Sequence, residues 1–275
     1  MFPCDLTEAS VAPLPSADQH LDHSKYMETA GSGRISSRSR SAARSARPAT
    51  ELVVLGCNPL FAGLTARECK EIASGAHTCT FAPKEFLFIQ GQPAQSLVLL
   101  QSGSVKLTQL SVSGKEVIVW MSGPGDAMGM LTDLPSCSHS CSARAMEQSK
   151  ALVWEYSRLQ MLIAQYPQLG KNICRILVSR VHELEERFRE MATERVARRL
   201  ALALIRLLQR VGKKTKDGIE ISISREELAQ LTGTTFFTIS RILSMWAEMG
   251  VVVVGRELVL VPDPKRLEAV GYDED

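Results

Sequence analysis

Between Ser224 and Leu243 the chain reads SREELAQLTGTTFFTISRIL, and this stretch decides what the C-terminal part folds into. Ser224 followed by Glu227 is a capping-box pattern, in which each side chain accepts a backbone N–H of the other residue at a helix start. Leu228 and Leu231 then line one helical face before Thr232-Gly233-Thr234-Thr235 breaks the pattern. A second helix is predicted from Thr235 to Met249, with Ile239, Ile242, Leu243 and Trp246 inward and Gly250 as its stop. Val251 to Val254, the turn Gly255-Arg256-Glu257, and Leu258 to Val261 read as a hairpin. Two short helices across a glycine-containing turn, followed by a hairpin, describe a winged helix-turn-helix.

Upstream of this head, a helix is expected over Glu194 to Val211, closed by Gly212 and a basic loop at Lys213-Lys214-Thr215-Lys216. Before it, Ile173, Leu177, Val181, Leu184, Phe188 and Met191 step by four, four, three, four and three residues, the seam of a helix that pairs with another helix. Arg180, Glu183, Glu185, Glu186, Arg187 and Arg189 fall on the other faces, which favours pairing with a second copy over burial within one chain. Between His77 and Tyr156 the apolar residues form short runs at Phe86–Ile89, Leu97–Leu100, Val105–Leu110, Val117–Met121 and Ala151–Trp154. Turn residues separate them at nearly regular spacing, as in an antiparallel barrel or jelly roll. Thr65 and Glu68 make a second capping box, predicting a short helix from Ala66 to Ala76. The expected fold is therefore α+β, divided into a tail (1–51), a β-roll (52–164), a pairing helix (165–192) and the winged head (193–275).

The chain has 275 residues, 45% of them hydrophobic and 23% charged, which excludes a wholly disordered or fibrous polymer and allows about two domains. Its net charge of +2 is unevenly spread: residues 171–271 carry 18 basic and 13 acidic side chains, whereas 52–170 carry 8 of each. An excess of +5 in the C-terminal third hints at a polyanionic partner for that part. Residues 31–50 contain Arg34, Arg38, Arg40, Arg44 and Arg47 among Ser and Ala and no acid. They read as a solvated extension, with a nucleic-acid arm or a transit peptide as alternatives. No apolar run reaches the roughly 20 residues that cross a bilayer, and the first 25 residues lack the basic start and apolar run of a signal peptide, so a cytoplasmic protein without a membrane partner is expected. Seven cysteines, an odd and dispersed set, fit reduced thiols. No nucleophile–base–orienter set, phosphate-cradling loop or paired-carboxylate motif argues for an enzyme.

Four stretches in order, NPLFAGLTARE (58–68), GQPAQSLVLLQSGSVKL (91–107), GDAMGM (125–130) and the helix-turn-helix quoted above, resemble the Crp/Fnr family of transcription regulators, over roughly residues 52–268. The resemblance implies a homodimer that binds double-stranded DNA, with RNA polymerase as a further partner and an effector domain controlling the pose of the reading helices. On the second helix Thr235, Phe236, Phe237, Thr238, Ser240 and Arg241 are the candidate DNA contacts. Arg241 suits the O6 and N7 of guanine, with a phosphate contact or ion pair as the alternative, while Thr235, Thr238 and Ser240 suit phosphates or caps. Many relatives carry Glu where this chain has Phe237, which either touches a thymine methyl or belongs to the core.

Cyclic-nucleotide-binding relatives hold the ribose with a Gly-Glu pair and the phosphate with an Arg-Ser pair. Here those positions correspond to Gly129-Met130, followed by Leu131, and to His139-Ser140, so both charged anchors are missing and ordinary cAMP binding is not expected. Cys137, His139 and Cys141 alternate, as a polar loop with incidental thiols or as part of a metal, haem or thiol switch. The sequence assigns no cofactor and no effector.

Overall fold

A computed structural model describes residues 58–112, 114–129 and 137–271. The basic tail, Cys4, Cys57, Met130 and Leu131 lie outside the described residues. The described chain opens with a short turn at Pro59–Phe61. Asn58 caps it by accepting from Leu60 N–H (2.9 Å), and its Nδ2 donates to the carbonyl of Gly125 (2.8 Å), which ties the entry to the barrel. Helix α1 (Ala66–Ser74) starts at the capping box of Thr65 and Glu68, both bonds formed, and turns Cys69, Ile72 and Ala73 inward. It ends at Gly75, slightly earlier than the sequence pattern predicts.

Eight strands follow: β1 (His77–Phe81), β2 (Phe86–Phe88), β3 (Ser96–Ser102), β4 (Val105–Leu110), β5 (Glu116–Ser122), β6 (Ala127–Gly129), β7 (Ser142–Ala145) and β8 (Ser149–Glu155). They form two antiparallel four-stranded sheets, ordered β1-β8-β3-β6 and β2-β7-β4-β5. Strands β1, β6 and β7 are absent from the apolar runs because they are short or polar, as HTCTF and SARA show; their neighbours supply the ladder that makes them strands. Leu97, Leu99, Leu152 and Trp154 pack on α1 on one side, and Val98, Leu100, Val105, Leu107 and Trp120 fill the roll itself.

Helix α2 (Tyr156–Gln165) stops before Pro167, which opens α3 (Pro167–Thr193). Here the structure corrects the pairing seam. Ile173 is 4% exposed and Leu177 half-buried, because both pack into the barrel's own core with Leu60, Phe61 and Trp154. The fully buried Asn172 anchors the same turn, donating through Nδ2 to the carbonyls of Leu60 and Ala62 (2.9 Å each). The exposed apolar row starts one turn later: Val178, Val181, Leu184, Phe188 and Met191 all face solvent, with Phe188 at 76%.

The C-terminal part comprises α4 (Val196–Val211), β9 (Lys213–Thr215), β10 (Gly218–Ile221), α5 (Arg225–Thr232), α6 (Phe236–Glu248), β11 (Val253–Val254), β12 (Val259–Val261) and α7 (Pro264–Val270). The supposed basic loop at 213–216 is a strand and turn: β9 pairs with β10, and the sheet runs β11-β12-β10-β9. One core unites Leu200, Leu204, Ile221, Leu228, Ile239, Leu243, Trp246 and Val261. Ile118 and Met121 of β5 belong to that same core, so a barrel strand completes the head. Lys106 of β4 pairs with Glu227 of α5 at 2.8 Å across the same boundary. A Cβ on Gly123 would lie 1.8 Å from the carbonyl oxygen of Arg210, so only glycine allows the β5–β6 turn to meet the end of α4. No helix among the described residues is long and apolar enough to cross a membrane.

Candidate functional site

The outward face of α6 is built by its caps. Gly233 adopts the left-handed region (φ 63°, ψ 41°), which ends α5 without the strain a side chain would add and turns the chain toward α6. Thr235 caps α6: its Oγ1 accepts from Thr238 N–H (3.2 Å) and shares a hydrogen bond with Thr238 Oγ1 (2.9 Å). At the other end Arg266 donates to the carbonyls of Met249 (3.0 Å) and Gly250 (3.5 Å), placing a cation against the negative end of the helix dipole. Ile239, Ile242, Leu243 and Trp246 are buried as predicted.

That burial leaves Phe236, Phe237 and Arg241 on the open side, with Thr238 and Ser240 half-buried beside them. Phe237 is 81% exposed, so the core alternative for it is excluded; Phe236 meets it edge to face, ring centroids 5.8 Å apart at 84°. Arg241 is exposed and has no ion pair among the described residues. An open groove of about 570 Å³ runs between α6 and the start of α4, lined by Thr238, Arg241 and Met245 on one side and Arg195 and Arg199 on the other. Arg195 and Arg199 were not singled out from the sequence; the only signal for them was the basic excess of the C-terminal third.

In the barrel the described members of the predicted pocket, Gly129, His139 and Ser140, bring no charged group together. His139 is 8% exposed and stacks on Phe88, centroids 4.0 Å apart at 11°. Burial lowers its pKa from the ordinary imidazole value, so it is neutral at pH 7 and offers no positive charge. Ser140 is exposed, and its carbonyl accepts from Gln109 (3.0 Å). Gly129 pairs with Leu97 at the end of β6. Burial pushes the Cys141 thiol up, away from the reactive thiolate. Among the described residues no three His, Cys, Asp or Glu side chains gather closely enough to hold a metal ion.

Cations reach the barrel from elsewhere. Arg180 and Arg187 of α3 are turned inward, their guanidiniums donating to the carbonyls of Ala127 and Val119 (2.5 Å for the latter). Burial lowers the pKa of both from the usual arginine value. Arg180 (5.3 Å to the centroid) and Arg210 of α4 (4.0 Å) both lie over the Trp120 ring, and Arg210 also pairs with Glu183. A cleft of about 270 Å³ beside them is lined by Trp120, Asp126, Arg175, Arg180, Glu183 and Arg210. Hydrophobic periodicity could not locate this row, because its inward positions on α3 are charged.

A β-roll joined by a long helix to a winged helix-turn-helix defines a DNA-binding regulator class. Residues 78–166 match the cyclic nucleotide-binding domain and residues 195–270 the Crp-like helix-turn-helix domain. The chain is 32% identical over 215 residues to the Cyclic AMP receptor protein of Thermus thermophilus, covering 78% of this chain and 97% of that one. It is 27% identical over 189 residues to the Transcriptional activator protein Anr of Pseudomonas protegens, covering 68% and 77% respectively. Its fold is similar to that of FixK2 from Bradyrhizobium japonicum (TM-score 0.63, 20% identity, 71% of this chain and 96% of that one). It is also similar to the c-di-GMP responsive global regulator CLP of Xanthomonas campestris (0.62, 22%, 72% and 100%). The chain belongs to the Crp/Fnr family: it is a transcription regulator with a DNA-binding helix-turn-helix, and not an enzyme.

Proposed function

We propose that two copies of this chain join along the exposed row from Val178 to Met191 and present two α6 helices to one duplex. A helix fits the major groove, and a two-fold dimer reads half-sites about one helical turn, roughly 34 Å, apart. Arg241 contacts a base, its fork suited to guanine, while Thr235, Thr238 and Ser240 set the pose against phosphates. The observation that carries this reading is an exposed, unpaired guanidinium on the open side of a helix whose other side is fully buried. Arg195 and Arg199 extend the positive rim toward the DNA backbone. The working divisions are a tail (1–51), a β-roll (52–164), a pairing helix (165–192) and a head (193–275), in a protein of the cytoplasm that acts on RNA polymerase.

The β-roll does not bind cAMP in the family's usual manner, because His139 is buried, neutral and stacked on Phe88. That packing favours a roll that serves assembly, or one that answers an effector of different chemistry through the Trp120–Arg180 cleft. The test is selection of bound duplex from a random pool at fixed salt. Arg241→Ala should lower affinity for the selected site much more than for random duplex; equal losses reduce Arg241 to a phosphate contact. Leu184→Glu with Phe188→Glu should sediment as one chain and lose the site. Micromolar cAMP affinity in calorimetry would overturn the reading of the roll.

A further inference from the structure

The first turn of α6 is unusual for a surface that meets a polyanion: Phe236, Phe237 and Thr238 bring neither charge nor amide, and the Thr235 and Thr238 hydroxyls are bonded to each other. Phe237 sits two residues before the buried Ile239, hence about 200° around the helix and away from the core. A phenyl ring that is 81% exposed leaves most of its apolar surface in water, where burial against an apolar group is favourable. Phe236 holds that ring edge to face at 5.8 Å, which fixes its direction without covering it. Arg241 lies four residues on, so Phe237 and Arg241 share one stripe, just over one helical turn or about 6 Å apart along the axis.

Base edges in the major groove show donors, acceptors and one apolar feature, the C5-methyl of thymine. We propose that Phe237 reads a thymine methyl in each half-site, within two base pairs of the base that Arg241 contacts. The assignment rests on α6 being the reading helix. The spacing follows from the stripe: about 6 Å along the helix spans between one and two base-pair steps of about 3.4 Å. An aromatic ring cannot accept from cytosine N4, so the position discriminates by shape and methyl burial. The expected specificity is for an A·T pair, with 5-methylcytosine as the chemical mimic.

Deoxyuridine differs from thymidine by that methyl alone and keeps every hydrogen bond. The full chain is used to select duplex from a random pool, and each thymine of the selected site is then replaced, symmetrically in both half-sites, by deoxyuridine. One position should lose about threefold to tenfold in affinity per half-site, the scale of one buried methyl group. Phe237→Ala should bind the thymine site with the same loss and be indifferent to the swap, while Phe237→Leu keeps part of the response. Because Phe237 is exposed, both variants should melt with the parent. At the sensitive position a G·C pair should bind poorly and its 5-methylcytosine form should recover part of the affinity. If the parent selects a site but is blind to every deoxyuridine, the thymine assignment fails while the reading helix stands. If Phe237→Ala loses self-association or polymerase binding and no DNA affinity, the ring faces protein instead and the assignment fails. If no duplex is selected at all, the reading helix falls with it.

Discussion

The β-roll and the winged head both lack charged side chains that the family resemblance leads one to expect, and they resolve the loss in opposite ways. In the roll, His139 stands at the position of an anion-holding arginine and is buried against Phe88. On the head, Phe237 stands where many relatives carry a glutamate and is left in solvent. A buried position needs a packed or hydrogen-bonded occupant, whereas an exposed one can wait for a ligand to cover it. The same kind of substitution therefore leaves a buried, stacked ring in one region and an exposed one in the other.

The largest effects should come from the two tryptophans that anchor these regions. Trp154 of the roll and Trp246 of the head are both fully buried, and truncation of either to alanine should cost about 3–5 kcal/mol in urea unfolding. The two differ at the indole nitrogen. Trp154 donates to the carbonyl of Ile72 (2.8 Å), whereas the Trp246 N–H has no partner among the described residues. Replacement by phenylalanine should consequently cost about 1 kcal/mol more at 154 than at 246, since only there is a buried hydrogen bond lost, although the Ile72 carbonyl keeps the N–H of Gly75 (3.1 Å). Equal costs would mean that the head satisfies its indole in solution, which would weaken the contrast. Next in size is the joint: Glu190 is buried and grips Arg206 through both oxygens, at 2.7 and 2.8 Å. Glu190→Gln should cost about 2–3 kcal/mol, because the guanidinium stays largely enclosed without its counter-charge.

The parts of the molecule legible in the sequence are those fixed by local chemistry. Thr65 with Glu68 and Ser224 with Glu227 each specify their own backbone geometry within four residues and form the predicted capping boxes, and Gly233 lies in the predicted break and ends α5. The β-roll was legible as a class, yet β7 was not, because Ser-Ala-Arg-Ala is a strand only through its neighbours β2 and β4. On α3 the difficulty was two stripes on one helix. Ile173, Ile176, Arg180, Glu183, Arg187 and Glu190 face inward at heptad spacing, and four of the six are charged. An apolar count passes over that row and borrows Ile173 and Leu177 for the exposed one. At the site, α6 and its buried face were legible and the exposure of Phe237 was not, since periodicity left it as either core or contact.

A smaller effect tests how the head leans on the roll. Lys106 reaches Glu227, whose carboxylate also closes the cap by accepting from Ser224 N–H (3.0 Å). Burial alone would raise the Glu227 pKa, but the bonds from Lys106 and Ser224 outweigh it and hold the carboxyl below the usual glutamate range. A depressed carboxyl pKa gives stability that is complete above the unfolded value, near 4.3, and is lost as pH falls through the folded one. Lys106→Met should cost about 1–2 kcal/mol at pH 7, with the gap to the parent narrowing as pH falls below 4. A gap that stayed constant with pH would mean that the lysine acts by packing its stem, and the cap on α5 by itself keeps Glu227 ionised.

The smallest effect isolates the roll. His139 is lowered from the ordinary value of 6.5 by burial alone, so the folded state prefers the neutral ring and the unfolded state takes up the proton first. Stability from this group is complete above that ordinary value and declines as pH falls through it toward the lowered folded value. His139→Gln cannot titrate there. The parent's melting temperature should therefore drop by about 2 °C more than the variant's between pH 7 and pH 5, in a protein of this size. Lys106→Met should keep the parent's full decline over the same interval, because its ion pair titrates at lower pH. If His139→Gln declines just as steeply, the imidazole is reached by solvent or by an anion in the folded roll, and the contrast between a buried ring there and an open one on α6 fails.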